Sequence, residues 1–250
     1  MREHISDKAR IHYSIPEGGE EPNVVPEKAI VWYYIRAQNR DGVDFLYDWI
    51  KDIADAAANM ARVEHEIQFL SGCYDTLANM TLADLLLDNM KQIGGPNFSS
   101  SEVDFARDIE KTFNPGQKDA LTENGIPKEL AEVTLHENVV RNHYDEGRVS
   151  FGSTDVGDVS WIVPLAQFTA ATWPVGTASH SWQATASAGS NVGLKGMLFA
   201  SKVMATTAVD LYSSPEIISE AKREFTEKTK NQGYNSPLPG DIEPPYDQLD

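Results

Sequence analysis

Residues 9–15 alternate in character. Ala9, Ile11, Tyr13 and Ile15 fall on one face, and Arg10, His12 and Ser14 on the other, which predicts a half-buried strand. The turn-rich stretch PEGGEEPN follows. KAIVWYYIRA is rich in β-branched and aromatic residues and predicts a second strand, apolar on both faces. Between Gly42 and Arg62, the residues Val43, Leu46, Ile50, Ile53 and Ala57 recur at spacings of three and four, which predicts one apolar helix face. Val63, Ile67 and Phe69 then alternate with Glu64, Glu66 and Gln68 and predict a third strand. The order strand, strand, helix, strand matches most of a ferredoxin-like sandwich without its opening strand and helix.

From Thr76 the pattern changes. Leu77 to Ile93 reads as a helix. Ser99 is a helix N-cap with Glu102 three residues on, and that helix is expected to run to about Phe113. Residues 114–139 are polar and turn-rich and predict a surface excursion with a short helical piece. A sheet region is expected from Val149 to Trp173. Residues Gly189 to Tyr212 then form a helix that is apolar nearly all round, which predicts burial. Gly193 and Gly196 cost this helix propensity, so close packing against a neighbour is expected to explain them. A charged helix follows from Pro215 to about Gln232, and the tail 235–250 is Pro-rich and acidic. The domains predicted are 1–75, with strand-strand-helix-strand order, and 76–250. The fold class is α/β in the α+β sense.

Composition and charge narrow the function. The chain has 250 residues and a net charge of −17. Such a field repels nucleic acid and anionic membranes, so neither is an expected partner. No apolar run reaches the roughly 18–20 residues of a membrane span. The opening MREHISDKARIHY lacks the apolar stretch of a signal peptide, so a cytoplasmic protein is expected. Cys73 is the single cysteine and reads as a small filler rather than a catalytic thiol.

Three groups of residues carry candidate chemistry. His180 follows the turn WPVG and precedes a small-residue segment. An imidazole on a rigid loop serves as a metal ligand or acid–base group, and equally as a hydrogen-bonded structural residue. Asp155 and Asp158 lie in GSTDVGDVSW, where a carboxylate either orients a ligand from behind or caps the turn. Asn23 and Arg36 bracket the second strand; they suit a carboxylate and a carbonyl oxygen, or else a turn and a solvated strand edge. Glu20-Glu21 falls in a turn, and Glu64-His65-Glu66 is expected on a strand, where neighbours point to opposite faces. His136 and His143 read as surface residues, and His4 and His12 as packing or surface residues.

Three stretches together resemble a family. EEPNVVPEKAIVWYYIRA, FGSTDVGDVSW and WPVGTASHSWQ through KGMLFASKVMA are similar to the second half of the aminoacylase and glutamate-carboxypeptidase superfamily of metal-dependent amidohydrolases. The resemblance runs from Met1 to about Tyr212. It implies a partial satellite domain of the ferredoxin-like type, used for dimerisation, followed by the C-terminal part of a mixed α/β/α catalytic domain. It implies that His180 ligates metal, that Asn23 and Arg36 bind the substrate carboxylate, typically across a dimer, and that Asp155 and Asp158 stand behind the site. Two divalent ions, zinc or manganese, serve an intact site. The implied reaction is hydrolysis of the amide bond of an acyl-amino acid, folate breakdown products such as p-aminobenzoyl-glutamate among them. The first metal-binding His-x-Asp element, the bridging carboxylate and the general-base glutamate belong to an N-terminal part that this chain is expected to lack. No catalytic residue is therefore assigned here, and the chain is expected to be inactive alone. The alternative is a non-enzymatic oligomerisation module, forming a homodimer or hetero-oligomer through the satellite strands.

Overall fold

The computed structural model describes residues 1–141, 149 and 152–240; His143 and the tail from residue 241 lie outside this range. After a short 3-10 turn, the elements in chain order are β1 (Arg10–Glu17), β2 (Ile30–Arg36), α1 (Arg40–Ala61), α2 (Met80–Ile93), α3 (Ser100–Glu110), α4 (Asp119–Glu123), α5 (Lys128–Ala131), α6 (Val156–Ser160), α7 (Trp182–Ala188), α8 (Asn191–Ser213) and α9 (Pro215–Thr229). The mixed α/β class holds, with helices dominant over one small sheet. The chain divides into two compact units. One comprises Met1–Leu77, Val149–Ile162 and Gly233–Asp250; the other comprises Ala78–Arg148 and Val163–Gln232. The GSTD segment thus groups with the N-terminal strands.

In the first unit, β1 and β2 pair antiparallel, Arg10 opposite Arg36 and Ser14 opposite Trp32, with a register shift between Ser14 and Glu17. Both strands form where expected, but the buried face does not. Tyr13, Ile15, Trp32 and Tyr34 are all exposed. Alternation sorts side chains to a face, and only a second layer can bury that face. Helix α1 is capped by Asn39, whose Oδ1 accepts the Gly42 amide at 3.1 Å, and closes on Arg62 in the left-handed conformation. It buries Leu46 and Ala58. The third strand expected at 63–69 does not form. Phe69 instead packs edge-on against Tyr47 of α1, with centroids 5.9 Å apart, and His65 meets Asp55 of α1 at 3.2 Å. A strand needs a ladder neighbour, and β1 and β2 are the two strands among the described residues.

The second unit is helical. Asn79 caps α2, accepting the Leu82 amide at 3.1 Å, and donates Nδ2 to the Ala221 carbonyl of α9 at 2.9 Å. Ser99 and Glu102 form the expected capping box on α3. Lys195 of α8 joins it, donating to Glu102 Oε2 at 2.6 Å and to the Asn97 carbonyl at 2.8 Å. This ammonium and the Ser99 amide hold the Glu102 carboxyl below its ordinary range. Leu86 of α2 packs with Phe199 and Val203 of α8 in one core cluster, and Phe98, Ala106, Leu135 and Val192 form another. The polar segment 114–139 is therefore more than a surface excursion: Ala131 and Leu135 are both buried. The expected sheet region 149–173 contains helix α6 and connecting chain, and no strand among its described residues. No described helix is long and apolar enough to cross a membrane.

Glu224 of α9 fastens the start of α2. Its carboxylate accepts the Met80 amide at 2.7 Å, the Thr81 amide at 2.9 Å, the Thr81 hydroxyl at 2.8 Å and Lys228 Nζ at 2.7 Å. Burial pushes this carboxyl up, but Lys228 and the three donors on α2 outweigh it and bring it down from 4.5 to about 2. A depressed folded-state value stabilises above the unfolded value and loses that contribution as pH falls through the folded one. Glu224→Gln is expected to cost about 2 kcal/mol at neutral pH. The difference from wild type in chemical denaturation should close as pH is lowered from about 5 towards about 2. A pH-independent difference would show that the charge is not responsible.

Candidate functional site

His180 sits on a loop whose shape is over-determined from several directions. Pro174 is almost fully buried. The Val175 amide donates to the Thr134 carbonyl at 3.0 Å, and Gln117 Nε2 donates to the Gly176 carbonyl at 2.7 Å. Gly176 has φ +93, and a side chain there would meet Lys118 Cγ at 3.1 Å, so glycine answers both demands. Thr177 Oγ1 donates back to the Pro174 carbonyl at 2.7 Å. On the far side, Ser181 caps α7, accepting the Ala184 amide at 3.2 Å and donating to the Ala178 carbonyl at 2.6 Å.

Between these anchors His180 is exposed, with φ +59. A left-handed conformation costs a non-glycine residue of order 1–3 kcal/mol, and such residues cluster at functional sites. The strain makes His180 a stronger candidate than its sequence context alone.

The support of this loop was missed in the sequence. Gln117 lies in the polar segment, as does Lys118, which donates to Glu110 Oε1 at 2.7 Å and to the Val133 carbonyl at 2.9 Å. Thr134 Oγ1 donates to the other Glu110 oxygen at 3.0 Å. No motif marks these residues. His136, expected at the surface, is half-buried, and burial followed by the Lys118 charge pushes its imidazole below the usual range.

Asp155 and Asp158 differ in their surroundings. Asp155 is exposed beside Thr154, whose hydroxyl donates to it at 3.3 Å. Asp158 accepts the Tyr74 amide at 3.3 Å and the Tyr234 hydroxyl at 3.2 Å, each on its own oxygen. Tyr74 in turn stacks near Trp161 and Tyr234, at 5.5 and 5.1 Å. In this unit the Asp158 carboxylate ties three stretches of chain together. Burial, then the Asp158 and Asp155 charges, push the nearby Cys73 thiol up, away from the reactive thiolate.

Asn23 lies in the exposed turn between the strands. Arg36 ends β2 opposite Arg10, with its guanidinium 5.8 Å from the Tyr34 ring centre. Arg36 stands at the far end of β2, about 20 Å of strand from the end that leaves the turn carrying Asn23. His180 belongs to the other unit.

Among the described residues no three His, Cys, Asp or Glu side chains converge as a metal site. A catalytic metal takes about three protein ligands, so the described donors do not by themselves fit the metal pair that the resemblance implies. Against the expectation of none, the sequence does contain one His-x-Asp triplet, His143-Tyr144-Asp145. It lies outside the described residues and after the satellite strands, whereas the resemblance puts that element before them.

No family model matches the chain. Known proteins do. The chain is 26% identical to an Xaa-Arg dipeptidase of Mus musculus over 235 residues, 93% of the chain and 44% of the relative. It is 23% identical to the Homo sapiens Xaa-Arg dipeptidase over 237 residues, 94% of the chain and 44% of the relative. The chain spans about half the length of the curated relatives it matches. Over 254 aligned residues, 98% of the chain, it is 36% identical to 53% of one of the subunits of p-aminobenzoyl-glutamate hydrolase of Escherichia coli (strain K12), and this similarity carries the family resemblance through nearly its whole length.

Proposed function

We propose that the chain is the C-terminal half of a metal-dependent amidohydrolase that cleaves the amide bond of an acyl-amino acid such as p-aminobenzoyl-glutamate, and that it is inactive without the other half. The observation that carries this reading is the 36% identity over 98% of the chain. The strained, anchored His180 supports it, because a metal ligand needs a fixed direction of approach. In this reading His180 ligates zinc or manganese, Asn23 and Arg36 bind substrate carboxylate from a neighbouring copy or subunit, and Asp155 and Asp158 are supporting carboxylates of the intact enzyme. The partner is a second subunit, since the E. coli relative is named as one subunit of its hydrolase, and the compartment is the cytoplasm.

Metal analysis tests the reading. The purified chain, incubated with zinc or manganese, is expected to retain no chelator-resistant metal and to show no amide hydrolysis. Joined to the part of the E. coli relative that it does not match, it is expected to hydrolyse p-aminobenzoyl-glutamate, and His180→Ala to lower that rate at least roughly 100-fold, beyond the loss seen for groups behind a ligand. Stoichiometric metal in the isolated chain, lost in His180→Ala, would overturn the inactivity. An inactive fusion of correct fold would overturn the hydrolase assignment.

A second reading has its own observation. The exposed Tyr13, Ile15, Trp32 and Tyr34 on the two strands favour an oligomerisation module without catalysis. A stable, catalytically silent oligomer both alone and in the fusion would favour that alternative.

A further inference from the structure

Strands β1 and β2 bring two guanidiniums to one place. Arg10 opens β1 and Arg36 closes β2, and the register sets them directly opposite each other. Opposed residues of an antiparallel pair lie about 5 Å apart at Cβ, on the same face of the sheet. Arg10 is exposed and Arg36 half-buried. His12 and Ser14 of β1 share that face with their ladder partners Tyr34 and Trp32 of β2. None of these six residues is acidic, in a chain with 38 acidic side chains against 21 lysines and arginines. The face therefore reverses the charge of the molecule locally.

Both guanidiniums are anchored. Arg10 Nη1 donates to the Asp7 carbonyl at 2.5 Å and to the Ala9 carbonyl at 2.7 Å, and Ala9 is itself buried. The Arg36 guanidinium lies 5.8 Å from the Tyr34 ring centre. Like charges directly opposite each other weaken a strand pair, and anchoring both works against their moving apart. An anion between them converts that repulsion into attraction. A guanidinium matches a carboxylate through two parallel hydrogen bonds.

One guanidinium suits one carboxylate, and two suit a ligand that carries two on a short chain. An acylated glutamate is such a ligand. Acylation removes the charge of its amino group and leaves the α- and γ-carboxylates. The substrate in the name of the E. coli relative, p-aminobenzoyl-glutamate, belongs to this class. We propose that Arg10 is a specificity-determining residue, which binds the γ-carboxylate of an acyl-glutamate while Arg36 binds the α-carboxylate. The proposal rests on the hydrolase reading, in which Arg36 already holds a carboxylate. It narrows the substrate from acyl-amino acids in general to those whose amino acid is a dicarboxylate.

Two experiments test it, one of them independent of activity. The whole chain is titrated with glutarate and with butyrate and followed by NMR of its arginine side chains. Glutarate is expected to shift the Nε–H signals of Arg10 and Arg36 together and to bind at least about 10-fold more tightly than butyrate, the scale of one charge-assisted pair. Arg10→Gln should bring the affinity for glutarate down to that for butyrate. In the fusion with the missing part of the E. coli relative, the preference for p-aminobenzoyl-glutamate over p-aminobenzoyl-glutamine, read as the ratio of kcat/KM, should fall about 10–100-fold in Arg10→Gln. A merely structural role would lower both substrates alike and leave that ratio unchanged. Equal affinity for glutarate and butyrate, binding of inorganic phosphate as tight as that of glutarate, or an unchanged ratio in Arg10→Gln would each overturn the assignment of Arg10. An inactive, correctly folded fusion whose chain still selects glutarate through Arg10 would overturn the hydrolase reading and leave the dicarboxylate site standing.

Discussion

Phe199→Ala is expected to remove about 4 kcal/mol of stability, the middle of the range for truncating a buried aromatic side chain. The ring is buried between Leu86 and Val203, in the cluster that joins α8 to α2. Removing it forfeits its transfer energy and leaves a cavity that Met90, Ile93 and Phe168 border without being able to close. For a unit of this size the melting transition should fall by about 8–16 °C. The control is one residue away: Leu198 points to the open side of the same helix, and Leu198→Ala should change stability by no more than about 0.5 kcal/mol. Differential scanning calorimetry of the two variants decides the matter. Equal losses would mean that α8 does not have the orientation described.

Gly196→Ala is the second large effect, and here two terms of opposite sign compete. Alanine gains about 1 kcal/mol of helix propensity over glycine. Its methyl group, however, would lie 2.3 Å from the Ala171 carbonyl oxygen and 2.7 Å from Thr172 Cγ2. The nearer obstacle is backbone, which cannot rotate away, so the clash costs about 3 kcal/mol or more. The net expectation is a loss of about 2 kcal/mol. Gly189→Ala is the comparison, because its methyl would meet the Thr185 carbonyl oxygen at an ordinary 3.7 Å. Gly196→Ala with unchanged or raised stability in urea denaturation would refute the close approach.

Gly193 and Gly196 show what the sequence discloses and what it hides. Glycine inside an apolar helix is a local contradiction, and contradictions point to a neighbour even when they cannot name it. Ser99 with Glu102 is read with equal ease, because both ends of the interaction lie within four residues. The stretch 63–69 is the opposite case. Its alternation is real, but a strand is completed by a partner that can lie anywhere in a chain, and here Phe69 finds α1 instead. The exposed β1 and the half-covered α8 are read wrongly for the same reason: periodicity says which residues share a face, and packing says whether that face is covered. In the candidate site, His180 is legible from its turn, whereas the support of its loop by Gln117 depends on a contact 59 residues away in the chain.

The first unit is assembled from three separate stretches of chain, so the polypeptide passes between the units four times. No single cut frees either unit intact. Ending an expression product near residue 77 would deprive Tyr74 of Trp161, Tyr234 and the Asp158 carboxylate. A protease that nicks one crossing should leave the pieces associated under native conditions and separable only in denaturant. The strands β1 and β2 belong to a unit that cannot be completed until residue 234 has been synthesised, so this unit finishes folding only after the helical stretches between its parts have been made.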